Sequence, residues 1–92
     1  LVATSDRRLK TNICPLDNRG VKGLKPSQFE YGAAPGEVRY GLIAQDVQET
    51  HPELVQADPG GRLSVKYLDI IALLLKSHQD LEARVAAMEA PT

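Results

Sequence analysis

The hydrophobic pattern is most regular near the C-terminal end of the chain. Helix-forming residues dominate from Tyr67 to Glu89 and Pro91 follows, which predicts one long helix. Apolar residues within it recur at alternating steps of three and four, the a/d heptad pattern of a coiled coil. We call this set the seam, and it consists of Ile71, Leu74, His78, Leu81, Val85 and Met88.

Two arrangements of this helix satisfy the pattern: packing on its own domain, or association of the seam with other chains. At its start the apolar surface widens to Ile70, Leu73 and Leu75, so we expect that end to pack on a globular part. Further along, the seam is narrow and flanked by alanines and charges, which favours self-association. The heptads alone leave the number of strands open. His78 is the polar break, suited to fixing register or to holding an anion or a metal.

Shorter elements precede this helix. Alternating apolar and polar residues predict a strand over 28–31 and a second over 37–43, pairing as a hairpin. A short helix is predicted over Ala44–Thr50, because the proline at position 52 disfavours helical geometry in the residue before it. Residues 54–55 and Leu63–Val65 flank a glycine-rich turn and predict a second hairpin. The predicted fold class is therefore α+β, with small antiparallel β-hairpins and a long C-terminal helix.

Composition restricts the classes of function. The chain has 92 residues with only three tyrosines and one phenylalanine, so we expect one small domain that gains stability by oligomerisation. Its formal net charge of -1 gives no general case for nucleic acid or membrane binding. The chain begins without methionine, and we expect a longer polypeptide upstream. Cys14 is the single cysteine, which excludes an intrachain disulfide, and we expect it to be semi-buried.

The candidate chemistry lies near the N-terminus. Ser5 precedes Lys10 by five positions, with Arg7 and Arg8 between them. A serine hydroxyl needs a base to become a nucleophile, and serine–lysine pairs are a known variant of the serine–histidine–aspartate arrangement. Lysine acts as a base only when neutral, and nearby positive charge or burial favours the neutral amine. The alternative is a basic turn in which Ser5 only caps the following segment.

Three blocks of the sequence resemble one known family. They are SDRRLKTNI at residues 5–13, YGLIAQDV at 40–47 followed by HPELV at 51–55, and VKYLDIIALL at 65–74. In this order they resemble the intramolecular chaperone auto-processing domain, the chaperone of endosialidase. That domain ends phage tailspikes and tail fibres, and a relative occurs in myelin-regulatory-factor transcription factors.

The resemblance implies a trimeric coiled coil and a single self-cleavage at the Thr4–Ser5 bond by a serine endopeptidase. Ser5 would be the nucleophile and Lys10 the base. Residues 1–4 would be the remnant of an upstream shaft, residues 5–66 the globular auto-processing domain and residues 67–92 the coiled-coil helix. The partners would be two further copies of the chain and its own upstream fibre segment. We expect no cofactor, no metal, no nucleic acid and no membrane.

The resemblance also implies a place and a sequence of events. The domain would act in the host bacterial cytoplasm during virion assembly, and the released fragment would be absent from the mature virion. Two other functions stay open: a permanent trimeric cap that does not cut, and the auto-processing domain of a membrane-released transcription factor.

Five residues are candidates for supporting roles around the pair. Asp6 can orient Lys10, neutralise an arginine or simply cap a turn. Gln45 can form a buried hydrogen bond or contact the pair, and His51 can replace Lys10 as the base. The full set of supporting candidates is Asp6, Arg8, Asn12, Gln45 and His51.

Overall fold

The computed structural model describes residues 2–90, which contain four short strands, two α-helices and two 3-10 turns. In chain order they are the 3-10 turn Arg7–Leu9, β1 Ser27–Phe29, β2 Arg39–Gly41, α1 Ala44–Thr50, the 3-10 turn Pro52–Leu54, β3 Val55–Ala57, β4 Leu63–Val65 and α2 Tyr67–Glu89. The α+β class, both hairpins and the bounds of both helices are confirmed. Leu1 of the predicted upstream segment, and Pro91 and Thr92 of the predicted C-terminal segment, lie outside the described residues.

Each hairpin is a two-stranded antiparallel sheet, β1 with β2 and β3 with β4. Both strands of the first hairpin differ from the prediction: β1 ends at Phe29, two residues earlier than predicted, and β2 covers only Arg39–Gly41 of the predicted 37–43. Tyr31 begins a turn, because its carbonyl accepts a hydrogen bond from Ala34 N at 2.9 Å. Glu37 is still within turn structure, its N–H reaching the carbonyl of Ala34 at 3.3 Å. Local turn bonds therefore compete with the ladder on both sides and leave three residues in each strand.

The core lies where the start of α2 meets α1 and the second hairpin. Its buried residues are Val47, Leu54, Ile70 and Leu73, with Val21, Leu24, Leu42, Val55 and Val65 packed around them. The prediction that the beginning of α2 packs on the globular part is confirmed for Ile70 and Leu73. Leu75, expected on the same surface, is 57% exposed because the packed stripe of α2 is narrower than the sequence suggested.

One hydroxyl joins the start of α2 to the end of the first hairpin. The Tyr67 hydroxyl accepts a hydrogen bond from Leu42 N at 3.0 Å and lies 3.3 Å from the Leu42 carbonyl oxygen. Gly41 allows this approach, since a Cβ there would lie 2.9 Å from the hydroxyl and 3.3 Å from the Phe29 ring. The direction of α2 is thereby set relative to β2.

Residues 2–19, which we call the N-terminal arm, are exposed throughout. Cys14 is among them, so the expectation of a semi-buried cysteine is wrong: the arm does not lie against the core of its own chain. The arm is attached at its C-terminal end, where Asn18 Oδ1 accepts hydrogen bonds from Gly20 N at 2.8 Å and from Ser77 Oγ at 3.2 Å. Between residues 2 and 90, neither helix has the length and apolar character to cross a bilayer.

Candidate active site

The geometry of the candidate site begins with a 3-10 turn on the N-terminal arm. Asp6 is its N-cap, and its carboxylate accepts a hydrogen bond from Arg8 N at 2.8 Å. Lys10 N closes the turn by donating to the Arg7 carbonyl at 3.1 Å. Asp6, and not Ser5 as one interpretation of the sequence had it, therefore caps this segment. The turn compacts the chain between Ser5 and Lys10, which is the condition for their side chains to meet.

The side chains of Ser5 and Lys10 are in direct contact. Lys10 Nζ donates a hydrogen bond to Ser5 Oγ at 2.6 Å. This distance lies within the range in which a base can take a proton from a nucleophile. Both residues are exposed in the single chain, so no burial favours the neutral amine in this state. The proximity required for chemistry is present, while the low-dielectric surroundings that would activate the lysine are not supplied by the chain's own core.

Arg8 and Asp6 form a bidentate ion pair. Arg8 Nε donates to Asp6 Oδ1 at 3.1 Å, and Arg8 Nη2 donates to Asp6 Oδ2 at 2.8 Å. The Arg8 side chain, and secondarily its backbone N–H, hold the pKa of Asp6 below its ordinary value. The same pairing raises the pKa of Arg8. Asp6 is therefore an ionised carboxylate committed to Arg8, and no hydrogen bond joins it to Lys10 among residues 2–90.

Asn12 has a left-handed backbone, with φ of 55°. Among residues other than glycine, asparagine is one of the few that adopts this region readily. The position lies two residues after Lys10, where the chain bends. Its backbone accounts for an asparagine here, and no side-chain bond links it to the pair among the described residues.

The other two supporting candidates lie on the body of the domain. Gln45 is exposed at the start of α1, so the expected buried hydrogen bond is not present in the single chain. His51 is 6% exposed, and its ring is engaged by Gly20 and Thr50 instead of Ser5. A carbonyl can only accept, so Nε2–H donates to Gly20 O at 3.3 Å and Nδ1 accepts from Thr50 Oγ1 at 2.8 Å. His51 therefore anchors the loop that follows the arm.

The seam of α2 is exposed along its whole length in the single chain. Ile71, Leu74, Leu81 and Val85 are 42–55% exposed and Met88 is 84% exposed. His78 is also exposed, and its Nε2 lies 3.2 Å from Glu82 Oε1 one turn later. A monomeric protein rarely leaves such a continuous apolar stripe uncovered. Within residues 2–90 no group of three or more histidine, cysteine or acidic residues is suited to hold a metal ion.

Sequence reasoning left the Asp6–Arg8 pair open as one of the roles of Asp6, and it missed two contacts within the body of the domain: the His51–Gly20 bond and the Tyr67–Leu42 bonds. The first had a local signal, since an aspartate before a short turn is a frequent N-cap. The other two join residues that are 31 and 25 positions apart, and no sequence spacing indicates them.

Fold and site together define a small α+β domain that carries a serine–lysine contact on an exposed arm and an uncovered heptad seam on its last helix. Comparison with known families and proteins agrees with this description. The family described as chaperone of endosialidase matches residues 5–56, and its name, Peptidase S74, classes it with the peptidases. This chain belongs to the chaperone of endosialidase family.

Two viral proteins are similar to the chain. The long tail fibre protein Gp37 of Escherichia phage AR1 is 35% identical over 80 residues, covering 75% of this chain and 7% of that protein. The uncharacterised protein VP1 of Micromonas pusilla reovirus is 38% identical over 68 residues, covering 65% of this chain and 4% of that protein. The chain thus corresponds to a small part of each relative's length. No solved structure gives a significant match.

Proposed function

We propose that this chain is the C-terminal intramolecular chaperone of a phage tail fibre or tailspike, and that it releases itself by autoproteolysis at Thr4–Ser5. The observation that carries the proposal is the 2.6 Å contact between Lys10 Nζ and Ser5 Oγ. Two facts support its interpretation: the family match begins at Ser5, and one relative is a long tail fibre protein.

The proposed reaction begins when neutral Lys10 takes the proton from Ser5 Oγ. The oxygen attacks the carbonyl carbon of Thr4, to which it is tethered, so proximity favours the step. The C–N bond breaks, Lys10 returns a proton to the departing Ser5 amine, and an ester joins the Thr4 acyl group to Ser5 Oγ. Water then hydrolyses this ester. The products are a Thr4 carboxylate on the upstream segment and a free Ser5 at the start of the released domain.

Assembly would supply what the single chain lacks. We propose that three copies of α2 associate through the seam into a coiled coil, with residues 5–66 as the globular part and residues 67–92 as the coiled-coil segment. The exposure of the seam supports this, because association would remove its apolar side chains from water. Burial of the arm against a neighbouring chain would favour the neutral form of the lysine. Cleavage would then follow assembly and not precede it.

The order of events has a physical purpose. A fibre whose strands intertwine needs its chains in register early, and a trimeric helix provides that register. Removing the chaperone after folding would take away the segment from which assembly began. The fibre would then be held by its unfolding barrier, which is kinetic stability.

Intact mass spectrometry of the domain fused to a short upstream segment tests the proposal. The wild type should yield a fragment beginning at Ser5, while Ser5→Ala and Lys10→Ala should stay intact. A wild-type protein that is trimeric by sedimentation and yet uncut would contradict the cleavage. Equal cleavage in Lys10→Ala would contradict the role of the lysine alone.

A trimeric cap that does not cut is the second candidate. The exposure of Ser5 and Lys10 favours it, because the single chain does not supply the burial that a lysine base needs. Under this function the fusion protein would form trimers, help the upstream segment fold and remain in one piece. The same mass measurement distinguishes the two.

A further inference from the structure

The turn that joins Ser5 to Lys10 contains one carboxylate, and its position is a problem for a lysine base. Asp6 is the sequence neighbour of Ser5, whose Oγ is in contact with Lys10 Nζ. Asp6 and Lys10 are the N-cap and C-cap of the same turn, about 8 Å apart along it at the rise of a 3-10 helix. Two side chains can bridge that separation. A free carboxylate at this place would attract the ammonium of Lys10 and oppose the loss of its proton.

Arg8 binds that carboxylate in a bidentate manner through two nitrogens of its guanidinium. Its Nε and Nη2 atoms bind the two oxygens of Asp6 at 3.1 Å and 2.8 Å, and its backbone N–H binds Oδ1 at 2.8 Å. The fixed planar fork of arginine matches a carboxylate in this way, whereas a lysine offers a single point charge. The negative charge of the Asp6 carboxylate is thereby offset by Arg8, which lies on the same turn.

Few charged groups lie close to Lys10 along the chain. The charged side chains in its turn are Asp6, Arg7 and Arg8, and all residues from 5 to 10 are exposed. No hydrogen bond or ion pair joins this turn to another element within residues 2–90. Lys10 forms no ion pair with a carboxylate in that range. The net effect on Lys10 therefore depends on whether Arg8 or Lys10 holds Asp6.

We propose that Arg8 is a positioning residue of the cleavage site, which binds Asp6 and so prevents that carboxylate from pairing with Lys10 and holding it protonated. The inference rests on the proposed self-cleavage and assigns to Arg8 a specific electrostatic part in it. Asp6 itself caps the turn that brings Ser5 to Lys10.

The test is the pH dependence of cleavage in Arg8→Gln, measured by mass spectrometry on the full fusion protein after sedimentation shows that it is assembled. Freed Asp6 should move the half-maximal pH up by at least about 0.7 units, because one charge about 4 Å away produces this shift in water and burial of the arm would enlarge it. At a fixed pH below the midpoint, the cleavage rate of Arg8→Gln should therefore be at least about fivefold lower than that of the wild type. At high pH the two rates should become equal. A rate lowered equally at every pH would show damage to the turn and contradict the proposal.

Two further variants separate this effect from simple loss of a positive charge. Arg7→Gln removes the same charge one residue away but leaves the Asp6–Arg8 pair, so its midpoint should rise by clearly less than that of Arg8→Gln. Asp6→Asn in combination with Arg8→Gln keeps an N-cap oxygen and removes the free carboxylate, so the midpoint should return toward the wild type. An Arg7→Gln shift as large as that of Arg8→Gln, or no recovery in the double variant, would overturn the proposal.

A measurement without cleavage keeps the inference testable if the proposed function fails. In the Ser5→Ala background, NMR titration of 13C-labelled lysine follows Lys10, assigned by the signal lost in Lys10→Ala. The Arg8→Gln variant should lose its lysine proton at a higher pH than its parent by the same amount. An uncut wild type together with this shift would refute self-cleavage only, whereas a cut wild type without the shift would refute the role of Arg8.

Discussion

Replacing one seam residue should stop both assembly and cleavage. Leu81 is 55% exposed in the single chain, so a trimer would bury about half of its side chain, worth about 1–1.5 kcal/mol per chain and about 4 kcal/mol per trimer. Losing about 4 kcal/mol lowers an association constant about a thousandfold. Leu81→Asp adds three carboxylates near one axis, so the loss should exceed this figure. The variant should be monomeric at micromolar concentrations.

Cleavage should fail in the same variant, because Ser5 and Lys10 are exposed in the single chain and lack the burial that would activate the lysine. Sedimentation velocity gives the assembly state, and intact mass gives the extent of cleavage of the fusion protein. Ala83→Asp is the matched control: it introduces the same charge at a heptad position opposite the seam and should leave both properties unchanged. Complete cleavage by a monomeric Leu81→Asp protein would show that the site works without assembly, and the dependence on the trimer would have to be abandoned.

Three other changes test separate parts of the structure. Val47→Ala, at a residue 1% exposed, should lower the free energy of unfolding by about 2 kcal/mol in urea denaturation, through lost burial and a residual cavity. Tyr67→Phe should cost about 1 kcal/mol in the same assay, since Leu42 N loses its hydrogen-bond acceptor. The trimer should weaken from about pH 8 to about pH 5 in sedimentation, because protonation brings three positive His78 rings together and Glu82, at 3.2 Å, offsets this in part.

Each of these changes has a control of the same chemistry. Val2→Ala truncates a valine that is 97% exposed, and Tyr40→Phe removes the hydroxyl of a tyrosine that is 80% exposed, so both should leave stability unchanged. A stability loss as large in either control as in its test variant would contradict the assigned contact. His78→Leu cannot titrate, and its trimer should show the same sedimentation at both pH values. If the wild type also sediments equally at both pH values, protonation of His78 does not weaken the assembly and this prediction is wrong.

Local patterns predicted the long elements well because their causes are local. The bounds of α1 follow from the proline after His51, and those of α2 follow from a run of helix formers ahead of a proline. The first strand of the first hairpin was predicted to end two residues too late and the second was predicted too long, since alternation cannot show that turn bonds at Tyr31 and Glu37 take backbone groups away from the ladder. Cys14 was misplaced for a related reason: burial depends on whether a segment lies against a core, which its composition does not reveal.

For the site, the residue types and spacing at positions 5–10 allowed a Ser5–Lys10 pair only as one of two interpretations, and the resemblance to a known family favoured it. What the spacing could not show was the manner of their approach, through a 3-10 turn capped by Asp6. The supporting candidates divide accordingly. Arg8 and Asp6 lie in the turn, whereas Gln45 is exposed on α1 and His51 binds the Gly20 carbonyl. Such long-range contacts are set by how the elements pack.

The amino-acid sequence alone predicted the fold class, both helices and the heptad seam, because each arises from periodicity or from local start and stop signals. It indicated Ser5 and Lys10 as nucleophile and base through its resemblance to a known family. Packing of distant elements added the rest. Packing buries Ile70 and Leu73 on one side of α2 and leaves the seam exposed to water. It also fixed α2 through the Tyr67 hydroxyl and left the arm exposed beside the domain. These outcomes depend on which surfaces are buried together, and burial is a property of the whole folded chain.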